Sequence, residues 1–191
     1  MITILIGKSG SGKDTIREAL VNRGYIPLVT TTSRPMREGE TDGVQYHFVS
    51  KETFIHNINN DQFIEYRTYN TLVNGIPDVW FYGTKKEELD PEKDYVIVLD
   101  LTGAKSFIDH YGRENCFVVN IEVSDSVRKE RAKNRGSFDE TEWNRRLADD
   151  AVKFEQAGQF ADYIHYNENS LTININGLLR ENRLFKERKA V

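Results

Sequence analysis

The run Met1-Ile2-Thr3-Ile4-Leu5-Ile6 passes directly into Gly7-Lys8-Ser9-Gly10-Ser11-Gly12-Lys13, and residues 14–23 follow with Ile16, Ala19 and Leu20 on one helical face. Gly24 closes that stretch. A β-rich strand, a glycine loop and a helix in immediate succession make half of a βαβ unit, which commits the chain to an α/β fold. The loop satisfies the first seven positions of G-x-x-x-x-G-K-[ST], in the context the pattern requires. Its glycines permit conformations that turn successive N–H groups inward, and the helix start adds partial positive charge. Lys13 can then reach the outer phosphates of a bound polyphosphate. Gly7, Ser9, Gly10, Ser11, Gly12 and Lys13, with Asp14 and Thr15 at the helix start, are therefore expected to hold ATP. Asp14 stands where the pattern has a hydroxyl for Mg²⁺ and is the candidate metal ligand, with Thr15 as the alternative. An ordinary glycine-rich turn is the competing reading, and the lysine and flanking elements argue against it.

The apolar run 95–99 reads as a parallel strand covered on both faces, ending at Asp100 before a helical stretch at 104–111. Residues 116–123 read as another buried strand. Helical patterns at 127–133 and 142–156 flank an expected turn at 134–137, and a short strand at 163–166 precedes an expected helix at 171–185. Between the first helix and this resumed core, residues 25–82 carry short strands at 46–49 and 63–66 around a helix capped by Ser50, which reads as an insertion with its own small sheet. The expected architecture is a parallel sheet flanked by helices, with a small β-rich insertion.

At 191 residues the chain suits one core with movable appendages. A formal net charge of −4 argues against coating nucleic acid or an anionic membrane, so any anion site must be a local concentration of positive groups. No apolar run approaches the roughly 20 residues of a membrane-spanning helix, and the amino terminus reads as a buried strand rather than a signal peptide. The single cysteine, Cys116, lies in an apolar run and cannot form an internal disulfide. These features lead to the expectation of a soluble, cytoplasmic protein. His47, His56, His110 and His165 have no metal-ligand spacing.

Thr30-Thr31-Thr32-Ser33-Arg34-Pro35-Met36-Arg37-Glu38-Gly39-Glu40, then Tyr46-His47-Phe48-Val49-Ser50, Phe63-Ile64-Glu65, Tyr82-Gly83-Thr84, Asp100, Arg135-Gly136 and Arg146-Leu147 resemble, in this order, the motifs of the guanylate kinase family. The resemblance covers roughly residues 2–170. It implies a P-loop NTPase fold forming one domain over 1–191, with a core of 1–33, 83–125 and 158–191, a nucleoside-monophosphate-binding insertion at 34–82 and a helical lid at about 126–157. The implied reaction moves a phosphoryl group from ATP, with Mg²⁺, to GMP or dGMP. Arg34 and Arg37 can point two guanidinium forks at the acceptor phosphate, with Tyr46 and Tyr82 as neutral donors. Guanine offers N–H donors that adenine lacks, so a guanine site needs acceptors: Glu65 and Asp100, with Thr30 and Thr84 completing the pocket by resemblance. Asp100 has a rival role, holding Mg²⁺ through water at the end of an apolar strand. Lys13, Arg34, Arg135 and Arg146 are the expected catalytic cations, and Arg131 and Asn167 are expected on the ATP side. For Arg128 and Arg145 a salt-bridged charged helix is the alternative to a lid role.

Two departures stand out. Lys8 replaces a residue that is usually proline in the family, and residues 70–81 form a longer connection than the family's. The second motivates another reading, a kinase for a different or modified nucleoside monophosphate. A third is a guanylate-kinase-like interaction module without catalysis, which would have no physical need for Gly7, Gly12 and Lys13.

Overall fold

The computed structural model describes residues 1–73, 76–134, 138–168 and 175–189. In chain order the elements are β1 (Ile2–Ile6), α1 (Lys13–Val21), β2 (Ile26–Pro27), β3 (Thr31–Thr32), β4 (His47–Phe48), α2 (Lys51–Asn59), β5 (Phe63–Val73) and β6 (Ile76–Lys85). Then come β7 (Tyr95–Val98), α3 (Leu101–Tyr111), β8 (Cys116–Glu122), α4 (Asp125–Asn134), α5 (Glu140–Lys153), α6 (Ala157–Phe160), β9 (Tyr163–Tyr166) and α7 (Asn176–Lys189). They fall into two compact units, one of Met1–Pro27 with Pro91–Val191, the other of Leu28–Asp90.

Every residue of β1 is buried, as a strand with parallel neighbours on both edges and helices on both faces must be. The sheet of the first unit has the order β2-β7-β1-β8-β9, and all of its pairings are parallel. From β1 the chain goes first to β2 at the sheet edge and returns through β7 between them, then builds outward through β8 and β9 on the other side. That reversal places a topological switch point at the carboxyl end of β1, where open α/β sheets form crevices for ligands. The glycine loop occupies this point. Leu5, Ile16, Leu20, Val96, Phe117, Val119, Ile121, Ile175 and Leu178 form one core cluster around the strand, locking the start of α1 against the sheet. Cys116 belongs to this interior, and burial pushes its thiol up to about 11, as expected of a small core residue.

The second unit is built on a four-stranded sheet of order β4-β3-β6-β5. Phe54 of α2 stacks on Phe63 at 4.4 Å and lies 5.4 Å from Phe81, which fastens the helix to one face of that sheet. Ser50 caps α2 as expected, its hydroxyl accepting from the Thr53 N–H at 3.1 Å.

Several expectations need correction. The strand expected at 46–49 is only His47–Phe48, and the one expected at 63–66 continues to Val73. Residues 70–73 and 76–81 are not a connection: they belong to the paired arms of β5 and β6, in register from Glu65 opposite Thr84 out to Val73 opposite Ile76. The reason is composition. Tyr69, Thr71, Val79, Trp80 and Phe81 are β-branched or aromatic and pair across the strands. The helix after Asp100 starts at Leu101, because the Asp100 carboxylate caps it by accepting from the Gly103 N–H at 2.9 Å. The last helix runs Asn176–Lys189. Residues 171–174 of the expected helix and 135–137 of the expected turn lie outside the described residues. Among the described residues no helix is long and apolar enough to cross a membrane.

Candidate active site

The geometry of the glycine loop follows from what surrounds it. Gly7, Gly10 and Gly12 have φ of 143°, 80° and 92°, all in territory that side chains disfavour. At Gly7 there is no room either, because a Cβ would lie 2.5 Å from the Ile121 carbonyl of β8. At Gly12 it would meet the Asn167 side chain at 2.6 Å.

The carbonyls of the loop are held by donors one after another. Lys13 Nζ donates to Gly7 O at 2.6 Å and Lys8 O at 2.9 Å. Arg128 Nη1 donates to Ser9 O at 2.8 Å. Arg131 Nη1 donates to Ser11 O at 3.2 Å, and Asn167 Nδ2 reaches the same oxygen at 2.9 Å. Arg131 Nη2 also bonds the Asn167 carbonyl at 2.7 Å, which ties α4 to the end of β9. With its carbonyls engaged by cationic and amide donors, and its Ser9 and Ser11 N–H groups held by Asp150 Oδ2 and Lys8 O, the loop has a fixed backbone course. Ser11 Oγ is buried and has no hydrogen-bond partner among the described residues. Asp14 and Thr15 are exposed in the first turn of α1.

The expected acceptor residues lie in the second unit, except Asp100. Arg34 is 4% exposed. Its Nη2 donates to Glu40 Oε1 at 2.6 Å and its Nη1 to Pro35 O at 2.8 Å, and its guanidinium lies 5.5 Å from the ring centres of both Tyr46 and Phe48. Glu40 also accepts from the Arg37 N–H at 2.7 Å. The bond from Arg34 holds the Glu40 carboxyl below its ordinary range, helped by the Arg37 N–H. Arg37 itself is exposed, while Tyr46 and Tyr82 are half-buried with their rings edge-to-face at 5.8 Å. Glu65 and Thr84 come together on adjacent strands, the Thr84 hydroxyl donating to Glu65 Oε1 at 2.9 Å. Thr30 is half-buried, and its carbonyl accepts from His47 N at the edge of β4. Asp100 sits on the first unit at the end of β7, where its Oδ1 serves as the helix cap.

Among the lid candidates, Arg146 is exposed on α5 and Arg135 lies outside the described residues. Arg128 and Arg145 follow the salt-bridge reading, to very different degrees. Arg145 makes a long surface pair with Asp149 at 3.9 Å. Arg128 is 1% exposed and pairs with Asp150 at 2.7 Å and Asp125 at 2.8 Å. Two participants had no assigned role in the sequence reading. Glu40 ends a recognised motif, so its partnership with Arg34 could have been sought there. Asp150 accepts from the Ser9 N–H at 2.8 Å across 141 residues, a contact that no local pattern announces.

The sequence model of the guanylate kinase family matches residues 1–173. The chain is 40% identical over 119 residues to a guanylate kinase of Helicobacter hepaticus, covering 58% of this chain and 54% of that protein. It is 34% identical over 143 residues to a guanylate kinase of Clostridium tetani, covering 72% of this chain and 64% of that one. The matched region thus spans little more than half to under two thirds of these relatives' lengths. A crystal structure of guanylate kinase from Anaplasma phagocytophilum shares the fold, with a TM-score of 0.66 and 24% identity over 100% of this chain and 87% of that one.

Proposed function

The chain belongs to the guanylate kinase family, and from that premise we propose that it transfers the γ-phosphoryl group of ATP to GMP or dGMP, forming ADP and GDP or dGDP. The observation that carries this reading is the loop between β1 and α1, whose glycine φ values and carbonyl partners suit a polyphosphate. Phosphoryl transfer asks a protein for positioning and charge stabilisation more than for covalent chemistry. In this reading Lys13 and the loop N–H groups hold the donor phosphates. Segment 34–82 binds the acceptor: Arg34, Arg37, Tyr46 and Tyr82 take its phosphate, while Glu65, Thr84 and Thr30, with Asp100, select guanine over adenine. Segment 126–157 acts as the lid and brings Arg135 and Arg146 to the transferred group. No general base is required, because the acceptor phosphate is already anionic.

The chain's residues suit a magnesium ion that arrives on the nucleotide. Asp14 presents an exposed carboxylate at the mouth of the loop, whereas no group of three or more His, Cys, Asp or Glu side chains forms a metal cage among the described residues. When bound, the ion neutralises charge on the phosphate oxygens. Asp14 is its protein ligand in this reading, directly or through water.

A panel of monophosphates tests the proposal. ADP formation that requires Mg²⁺ and ATP is expected with GMP or dGMP and not with AMP, CMP or UMP. Equal turnover of AMP and GMP would remove the guanine assignment, and no turnover with any acceptor would favour a binding module. A second reading comes from the β5–β6 arm, which extends the sheet beyond Tyr82 and carries Tyr69 stacked on Trp80 at 6.5 Å: another or a modified nucleoside monophosphate is the alternative acceptor, tested by adding such nucleotides to the panel.

A further inference from the structure

Ser9 is gripped at both ends of its backbone by one buried ion pair. Its N–H donates to Asp150 Oδ2 at 2.8 Å, and its carbonyl accepts from Arg128 Nη1 at 2.8 Å. The same Nη1 donates to the same Oδ2 at 2.7 Å, which closes a ring of three hydrogen bonds. The other edge of the guanidinium bonds Asp125 Oδ1 through Nε at 3.2 Å and Nη2 at 2.8 Å, so its donors point in two fixed directions. Trp143 of α5 covers the group, its ring centre 5.4 Å from the guanidinium carbon. Arg128, Asp150 and Trp143 are 1%, 9% and 7% exposed. The backbone of α4 is equally close, since a Cβ on Gly10 would lie 3.4 Å from the Arg128 carbonyl.

We propose that Arg128 and Asp150 are positioning residues for the donor nucleotide: together they set the orientation of the Ser9 peptide groups, and hence of the N–H groups that follow in the loop. Flanked by Gly7 and Gly10, this part of the chain has wide conformational freedom of its own. Fixing the N–H and the C=O of one residue between those glycines removes most of it before a phosphate arrives. Preorganised donors stabilise an anion more than donors that must first be ordered. A carboxylate beside a phosphate site would by itself repel the ligand, and the paired guanidinium neutralises it. The pair also joins the ends of α4 and α5 to the loop, so movement of these helices and the loop's readiness for phosphate are mechanically linked. This inference rests on the reading that the loop binds ATP.

Three variants test it on the full-length protein, with KM for ATP and for GMP and thermal unfolding measured for each. Asp150→Ala should raise the KM for ATP at least about tenfold and leave that for GMP within about twofold, because only the donor side loses its anchor. Asp150→Asn keeps an oxygen that can accept from the Ser9 N–H, and should restore most of the ATP affinity. Arg128→Leu combined with Asp150→Ala replaces the pair by apolar groups, which often recovers stability. It should regain most of the parent's melting temperature yet keep the raised KM for ATP. Recovery of both quantities in the double variant would overturn the proposal and leave the pair a packing device. A parent protein that binds no ATP would overturn the nucleotide reading together with it, whereas normal ATP binding by Asp150→Ala would overturn this inference alone.

Discussion

The phosphate loop of the first unit and the arginine segment of the second both concentrate positive charge in a chain of net negative charge, but they do so with different materials. The loop works through backbone groups whose carbonyls are held by Lys13 of α1, Arg128 and Arg131 of α4, and Asn167 just after β9. The arginine segment works through side chains stabilised within a short stretch: Arg34 leans on Glu40, Pro35, Tyr46 and Phe48, all within 14 residues of it. A backbone cradle suits a ligand part common to every nucleoside triphosphate, the polyphosphate. Side-chain contacts suit the part that differs between acceptors, because they can be changed singly.

The largest expected effect lies on the loop. Lys13→Ala should lower kcat/KM by about two to three orders of magnitude, the scale of losing one preorganised charge-stabilising donor, with the fold retained by circular dichroism. An activity loss smaller than tenfold would place the phosphate-stabilising charge elsewhere. On the acceptor segment, Arg34→Lys should raise the KM for GMP by about tenfold and leave that for ATP nearly unchanged. An ammonium cannot reproduce the forked bonds or the flat stacking of the guanidinium. Movement of both constants together would mean that the two regions are not separable.

The glycines sharpen the comparison further. Gly7→Ala combines a φ of 143° with a collision at 2.5 Å against backbone, and should cost more than about 2 kcal/mol in unfolding free energy, beyond the simple left-handed penalty. Gly39→Ala meets nothing within 4 Å and bears only a φ of 82°, so about 1–2 kcal/mol is expected from denaturant unfolding. Equal losses would show that crowding around the loop contributes nothing.

The smallest effects are in pH dependence, and they too divide by region. Burial lowers the pKa of His165 on β9, so its folded form resists protonation. The stability it contributes is complete above the unfolded value near 6.5 and declines as pH falls below it. Glu40 has a depressed pKa through Arg34, so its contribution holds above roughly pH 4.3 and is lost only as pH falls further. Melting curves at about pH 7.5, 5.5 and 4 should therefore show His165→Gln reducing the loss of stability below about pH 6.5, and Glu40→Gln lowering the melting temperature equally at the two higher values and by less at pH 4. A change in the size of the Glu40→Gln effect between the two higher values would break the assignment.

Much of this was legible in the chain. β1, the loop and α1 are consecutive, and each has a local signature: an unbroken apolar run, glycines at fixed spacing, and an apolar stripe at helical period. The Ser50 cap was readable for the same reason, since its bond spans three residues. Asp100 was less so, because a carboxylate after an apolar strand fits metal binding, base recognition and helix capping alike. The β5–β6 arm is less legible, because its length departs from the family's pattern, although Asn74-Gly75, a pair common in hairpin sequences, divides two runs rich in β-forming residues.

Sequence alone determined that a glycine-rich loop of the phosphate-binding pattern follows the first strand, what chemistry it can support and which family its motifs resemble, because those properties are carried by residues adjacent or nearly adjacent in order. It also supplied the charges of α4 and α5. Their use was settled in three dimensions: Arg128 is committed to Ser9 and Asp150, Arg131 to Ser11 and Asn167, while Arg146 is left exposed. An arginine carries the same charge on a solvated helix face as it does against a loop carbonyl. Which of these it does depends on partners more than a hundred residues away, and only the packing of β1, α4 and α5 brings them within hydrogen-bonding distance.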